Sequence, residues 1–189
     1  MNEQIYAQIE SLQSDIAKKR KEIIALRQQA EPEPIADYTL QGPEGKEVLL
    51  SSLFDERDEL LVIHNMGKSC KYCTLWADGF NGVAKPLADR VRFVVVSPDT
   101  PEVQAEFAAS RGWQFPMLSG ATGTFIKDLG FYRDADGYWP GVSALIRKDG
   151  QIYRSSYDYF GPGDPYSSVW HFYDLLPNKV NGWQPKYEY

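Results

Sequence analysis

The sequence predicts an α/β fold, a three-layer α/β/α sandwich with a central mixed sheet and a long helix added in front of it. Three observations predict it. The apolar runs at 60–63 and 93–96 read as strands buried on both faces of a sheet. Each is followed by a segment of helical period, and strands alternating with helices call for a sheet covered on both sides. Residues 1–31 repeat apolar side chains at spacings of four and three, a heptad seam with no glycine or proline to break it.

Taken in order, that seam is Ile5, Ile9, Leu12, Ile16, Lys19, Ile23, Leu26 and Ala30. It divides the chain into an N-terminal amphipathic helix, 1–31, and a body, 32–189, with an aromatic-rich C-terminal extension. Two uses of the helix are open: pairing with a second copy into a homodimer, or packing along its own domain. The basic run 18–21 is surrounded by Glu10, Asp15 and Glu22 and reads as a solvated face. The run 31–34, Glu-Pro-Glu-Pro, is a stiff extended joint. A hairpin follows, 38–40 and 48–50 around the turn 42–45. Strand 60–65 precedes Cys70, and a helix starts there, carries Leu75, Trp76, Phe80 and Val83, and is limited by Pro86. Strand 91–97 comes next. Thr100 then caps a helix with Pro101 in its first turn and Gly112 beyond its end. A short strand near 115–118 and a short helix at 124–129 lead to strands 142–147 and 152–157, joined by Asp149-Gly150, a two-residue hairpin turn. Asp164 and Pro165 start a last helix running to about Leu176.

Composition removes several functions. Of the 189 residues, 43% are hydrophobic and 24% charged, a globular balance that argues against disorder. A net charge of −6 argues against nucleic acid and acidic membrane surfaces as partners. No apolar stretch is long enough to span a membrane, and no signal-peptide core opens the chain, so the expected location is cytoplasmic.

The chain has two cysteines, Cys70 and Cys73. Redox pair, half of a metal site, or accident are the three readings of that spacing. Their placement between a buried strand and a helix start matters more than the spacing. Free N–H groups and the positive end of the helix dipole favour a thiolate there. Lys68 and Lys71 add positive charge. Cys70 would be the exposed nucleophile and Cys73, one turn in and more buried, the resolving thiol.

Strand, C-x-x-C, helix, strand, helix, and a hairpin with the turn Lys148-Asp149-Gly150 resemble a thioredoxin fold. Thioredoxins carry a buried acid six residues before the first cysteine; here that position is His64, which suits proton transfer but also suits an ordinary hydrogen-bonded core residue. The cis-proline position of thioredoxins falls on Val142, followed by Ser143, with Pro140 two residues early. The peroxidatic P-x-x-x-T-x-x-C pattern is missing as well: Gly67 stands three before Cys70, and Cys70 three before Cys73. The runs 38–46 (YTLQGPEGK), 70–82 (CKYCTLWADGFNG) and 112–116 (GWQFP) are more closely similar to a thioredoxin-like family known as domain of unknown function 899, within the thioredoxin / AhpC-TSA superfamily. Residues 153–157 (YRSSY) and 173–177 (YDLLP) match its C-terminal signature. In place of the Arg-Gly that follows the family's tyrosines stands 158–161, Asp-Tyr-Phe-Gly. Members of the family are predicted to be dithiol–disulfide oxidoreductases.

The function expected is therefore a thioredoxin-like oxidoreductase acting on a protein or small-molecule thiol or disulfide. Cys70, Cys73, His64, Lys68 and Lys71 form its catalytic set. Trp76, Trp113, Pro116 and Val142 form a substrate groove. No cofactor and no metal are called for. Two rivals stay open: a scaffold acting through the heptad helix and the aromatic surface, and a zinc site built from both cysteines with His64 and His171. Asp78 reads either as an orienting acid or as an exposed helix residue. The aromatic crowd of the final third, Tyr132 to Tyr173, reads as core and dimer packing or as a ligand groove.

Overall fold

The computed structural model describes residues 2–189. The helix α1 is Glu3–Gln29 and opens with the Asn2 side chain accepting the Ile5 N–H at 3.3 Å. Behind it come β1 (Glu33–Ile35), β2 (Thr39–Gln41), β3 (Glu47–Leu49), β4 (Glu59–His64), α2 (Lys71–Arg90), β5 (Arg92–Ser97) and α3 (Pro101–Arg111). The chain continues through β6 (Met117–Ser119), α4 (Phe125–Asp128), β7 (Tyr132–Arg133), β8 (Gly137–Tyr138), β9 (Gly141–Lys148), β10 (Gln151–Tyr159) and α5 (Ser168–Tyr173). Short 3₁₀ turns lie at Pro43–Gly45 and Leu50–Phe54.

The apolar runs of the sequence become the centre of a mixed eight-stranded sheet in the order β1-β10-β9-β4-β5-β6-β2-β3. β4 and β5 are parallel, with Leu60 opposite Arg92 and His64 opposite Val96. That parallel pairing requires a crossover, which α2 supplies, and α3 supplies the next one from β5 to β6. β9 lies antiparallel on the other side of β4. Alternation along the strands then sorts the side chains into two layers. Leu60, Val62, Val94, Val96, Leu118 and Leu145 join one cluster, covered by Phe54, Phe125 and Phe131. Ile63, Phe93 and Val95 join the other, covered by Cys73, Trp76, Ala77 and Phe80 of α2 and by Phe160. Phe54, Phe125 and Phe131 are fully buried, each removing on the order of 2–3 kcal/mol of apolar surface cost from the folded state. This is the predicted three-layer α/β architecture with the long helix in front.

Local signals explain most of the boundaries. Gly112 ends α3 in the left-handed region at φ 66°, and Asp149 (φ 51°) and Gly150 (φ 79°) make the tight turn between β9 and β10. Three expectations need correction, and one element was not foreseen. The joint at 31–34 is not only a spacer: Glu33–Ile35 pairs antiparallel with β10, with Pro34 opposite Tyr153. Pro is tolerated there because β1 is an edge strand. Pro86 does not limit α2, which continues to Arg90. Gly82, whose carbonyl loses its donor, and Pro86 are both exposed, so water takes over the freed group. Asp164 does not cap the last helix. Its carboxylate accepts the N–H groups of Gly161, Tyr166 and Ser167, a local turn, and α5 begins only at Ser168 and ends at Tyr173. Finally, the small β7–β8 hairpin carried no recognised signal.

No residue of α1 is buried. Its seam residues Ile5, Ile9, Leu12, Ile16, Ile23 and Leu26 are between 41% and 65% exposed, so the helix does not pack along its own domain. Arg27 ties its last turn to β10 through Asp158 at 2.8 Å.

Candidate active site

β4 delivers the chain to a tight loop, and that loop sets the cysteines. Asn65 accepts the Gly67 N–H at 2.8 Å through its side chain. Asp99, just past β5, accepts the Lys68 N–H at 2.8 Å. Gly67 sits at φ 100°, and a Cβ there would lie 2.9 Å from the Asp99 carboxylate, so only glycine lets strand and acid come this close. Cys70 is then the N-cap residue of α2: its Sγ accepts the Cys73 N–H at 3.1 Å, as a capping oxygen would. Cys73 lies one turn in, buried at 2% exposure, with the Met66 N–H directed at its Sγ at 3.5 Å. Both thiols are free.

The two sulfurs differ electrostatically. The Cys73 thiol donating to Cys70 lowers the Cys70 thiol from an ordinary value of 9.0 to about 7. Burial opposes the shift, and the N–H groups of Cys73 and Tyr72 assist it. Burial, followed by the neighbouring Cys70, pushes the Cys73 thiol strongly up. A half-exposed thiol poised near neutrality beside a buried thiol that holds its proton is the asymmetry that nucleophile and resolving group require. Hydrogen bonds account for the lowering. Lys68 and Lys71 are exposed, and Lys71 Nζ lies over the Tyr187 ring, 5.6 Å from its centroid.

His64 shares the lining of a small crevice with Cys73, but its ring is turned to the other layer. It projects from β4 on the face opposite Ile63 and the cysteine layer, opposite Gly141 in register. Its ring stacks on Phe131 with centroids 3.6 Å apart, and Nε2 meets Ser143 Oγ at 3.0 Å. Burial, aided by Arg154, lowers its pKa to about 3, so the imidazole is neutral. This is the core-residue reading of His64. His171 lies on α5 with Nε2 on the Asp164 carbonyl at 3.1 Å. Among the described residues no three His, Cys, Asp or Glu side chains cluster with metal-ligating geometry.

The four groove residues scatter around the site. Trp76 is buried beside Cys73 and donates to Asp164 at 3.3 Å. Trp113 stacks on Phe115 and donates to Asp78 at 2.8 Å. Pro116 is exposed, its carbonyl accepting from Val95 at 2.9 Å. Val142 lines a cavity of about 720 Å³ between α2 and β9–β10, with Leu61, Val83, Leu87, Tyr157 and Arg27; neither cysteine lines it. Asp78 is more than an exposed helix acid, since it also clamps Arg111. Sequence reading missed Asp99, Arg111 and Tyr187. The Tyr187 hydroxyl donates to the Lys68 carbonyl at 3.0 Å, across 119 residues of chain. An Asn-x-Gly turn before the cysteines was a legible signal for the loop; nothing local signals Tyr187.

Residues 7–186 match the family described as bacterial protein of unknown function, DUF899. Two Mycobacterium tuberculosis proteins, from strains CDC 1551 and H37Rv and provisionally named peroxiredoxins, are each 32% identical over 100 residues. That stretch is 52% of this chain and 64% of theirs, so the match spans less than two thirds of their length. The crystal structure of peroxidoxin BcpB from Mycobacterium tuberculosis is similar with a TM-score of 0.53 and 27% identity, over 64% of this chain and 80% of that one. Reduced Prx3 from Vibrio vulnificus, solved in complex with hydrogen peroxide, has a TM-score of 0.56 and 17% identity over 71% and 90%. This last likeness bears on the fold alone, which the chain shares with peroxiredoxins of the thioredoxin-like class.

Proposed function

The chain belongs to the DUF899 family, and from that premise we propose that it is a thioredoxin-fold oxidoreductase in which Cys70 attacks and Cys73 resolves. The observation that carries this reading is the cap geometry: the Cys73 N–H is held 3.1 Å from Cys70 Sγ, and the thiol is lowered to about 7. Similarity to peroxiredoxins supports redox chemistry on the fold.

On a disulfide, the Cys70 thiolate attacks one sulfur, forming a mixed disulfide and expelling one thiolate. Cys73 passes its proton to a leaving thiolate and attacks Cys70, expelling the second thiol and leaving Cys70–Cys73 oxidised. Two electrons have passed to the substrate. On a hydroperoxide, the Cys70 thiolate takes the terminal oxygen and releases the alcohol or water. Condensation of the resulting sulfenic acid with Cys73 then releases water and gives the same disulfide. An external dithiol restores the pair. His64 has no part in these steps. We further propose that the protein works in the cytoplasm, in keeping with its few cysteines, and pairs through α1. Among the described residues no helix is long and apolar enough to cross a membrane.

A Cys73→Ser variant tests the order of attack. Exposed to a small disulfide, it should hold one equivalent of mixed disulfide on Cys70, identified by peptide mass spectrometry. The assignment is contradicted if Cys70 stays unlabelled in that variant with the fold intact, or if a folded Cys70→Ser variant takes up the adduct on Cys73 as readily.

A further inference from the structure

We propose that residues 183–189 roof Cys70 and restrict its substrates to small molecules, with Tyr187 as the gating side chain. The proposal rests on the thiol-exchange reading above and narrows its substrate class.

Tyr187 is fastened at four points around the cysteine loop. Its hydroxyl donates to the Lys68 carbonyl at 3.0 Å, and the Lys71 ammonium lies 5.6 Å from its ring centroid. Its ring meets Phe107 of α3 edge-on at 6.2 Å. Its carbonyl accepts from Arg111, which is itself clamped by Asp78 of α2. Burial, and then the two cysteine sulfurs, push its phenol pKa up, so the hydroxyl keeps the proton it donates. The same segment closes a second side. Trp183 packs on Trp170 at 5.7 Å, and Trp170 stacks on Tyr72, which lies between the cysteines in sequence, at 6.1 Å.

The consequence for substrates lies in the backbone. A polypeptide that docks in extended form is held by main-chain hydrogen bonds to groups left open at the site. Here three main-chain groups ahead of Cys70 are already occupied: the Gly67 N–H by Asn65, the Lys68 N–H by Asp99, and the Lys68 carbonyl by Tyr187. Val142, at the position aligned with the thioredoxin proline, lines the cavity between α2 and β9–β10, which neither cysteine lines. A small disulfide or hydroperoxide needs only access to the half-exposed Cys70 sulfur, and no strand pairing.

Two variants test the gate: Tyr187→Ala, and a chain stopped after Lys186, which keeps Trp183 and the buried Pro185. The first readout is independent of redox chemistry. Alkylation rates of Cys70 by iodoacetamide and by a polyethylene glycol maleimide of about 5 kDa are compared, and each variant should raise the large-to-small ratio at least tenfold. The second readout is a single stoichiometric turnover of reduced protein with 2-hydroxyethyl disulfide or with insulin. The unaltered protein should oxidise with the small disulfide much faster than with insulin, and both variants should narrow that gap at least tenfold. Ratios unmoved by either variant, or insulin consumed as fast as the small disulfide by the unaltered protein, overturn the gate. Failure of the thiol-exchange reading looks different: neither disulfide oxidises any form of the protein, while the alkylation ratios still report the roof.

Discussion

Cys70 fills a position that serine, threonine or aspartate would take in an ordinary helix cap, so the N–H that satisfies the helix also stabilises the thiolate. With a pKa of about 7, roughly half of it is ionised at neutral pH. The rate of iodoacetamide alkylation should therefore rise through a midpoint near pH 7. In Cys73→Ala, which removes the thiol donor, that midpoint should move up toward the free value of about 8.5. A midpoint that ignores the substitution would refute the stated cause. His64 has a different readout. In the unfolded chain it takes a proton below about 6.5, whereas in the fold it does so only near 3. Between those values the unfolded state binds more protons, so stability falls as pH falls. Urea unfolding at pH 7 and pH 5 should show a loss of about 2 kcal/mol in the unaltered protein that His64→Gln does not show. The sequence identified His64 by counting, but its facing was not legible. The loop 65–69 separates β4 from α2, so no periodicity connects the parity of the strand to the face that the helix covers.

Among the elements, the placement of α1 and of the β9–β10 hairpin has measurable consequences. A helix of 27 residues is about 40 Å long, and its seam leaves Ile5, Ile9, Leu12, Ile16, Ile23 and Leu26 exposed along one face, the kind of apolar stripe that marks a contact surface. Pairing through that seam predicts a dimer by light scattering, and a monomer of unchanged sheet content once residues 2–30 are deleted. A full-length monomer at tens of micromolar would remove the pairing. In the hairpin, Gly141 meets Tyr159 across the strands, and a Cβ there would collide with the Asp158 carbonyl oxygen and with Phe131 Cε1. Gly141→Ala should cost about 3 kcal/mol in urea unfolding, because both colliding groups are fixed by the sheet and the core. Helix and strand existence were legible from period and capping. The departures at Pro86 and Asp164 share one cause: each expectation rested on the residue type alone. The outcome depended on whether water or a neighbouring N–H was at hand.

For the molecule as a whole, the order of elements sufficed for the layers, since parallel strands with helical crossovers admit few arrangements. The walls of the site were less legible. Tyr187 reaches Lys68 across 119 residues, and Asp164 reaches Trp76 across 88, contacts that no local pattern announces. The whole fold sets one thiol poised and one buried, and under the proposed function these two exchange a pair of electrons. Equilibration in glutathione buffers of graded potential, followed by alkylation and intact-mass counting, tests this exchange directly. A single two-electron transition from two alkylatable thiols to none is expected, with a midpoint between about −120 and −270 mV, the range of known exchange catalysts. Two alkylatable thiols at every potential would contradict it.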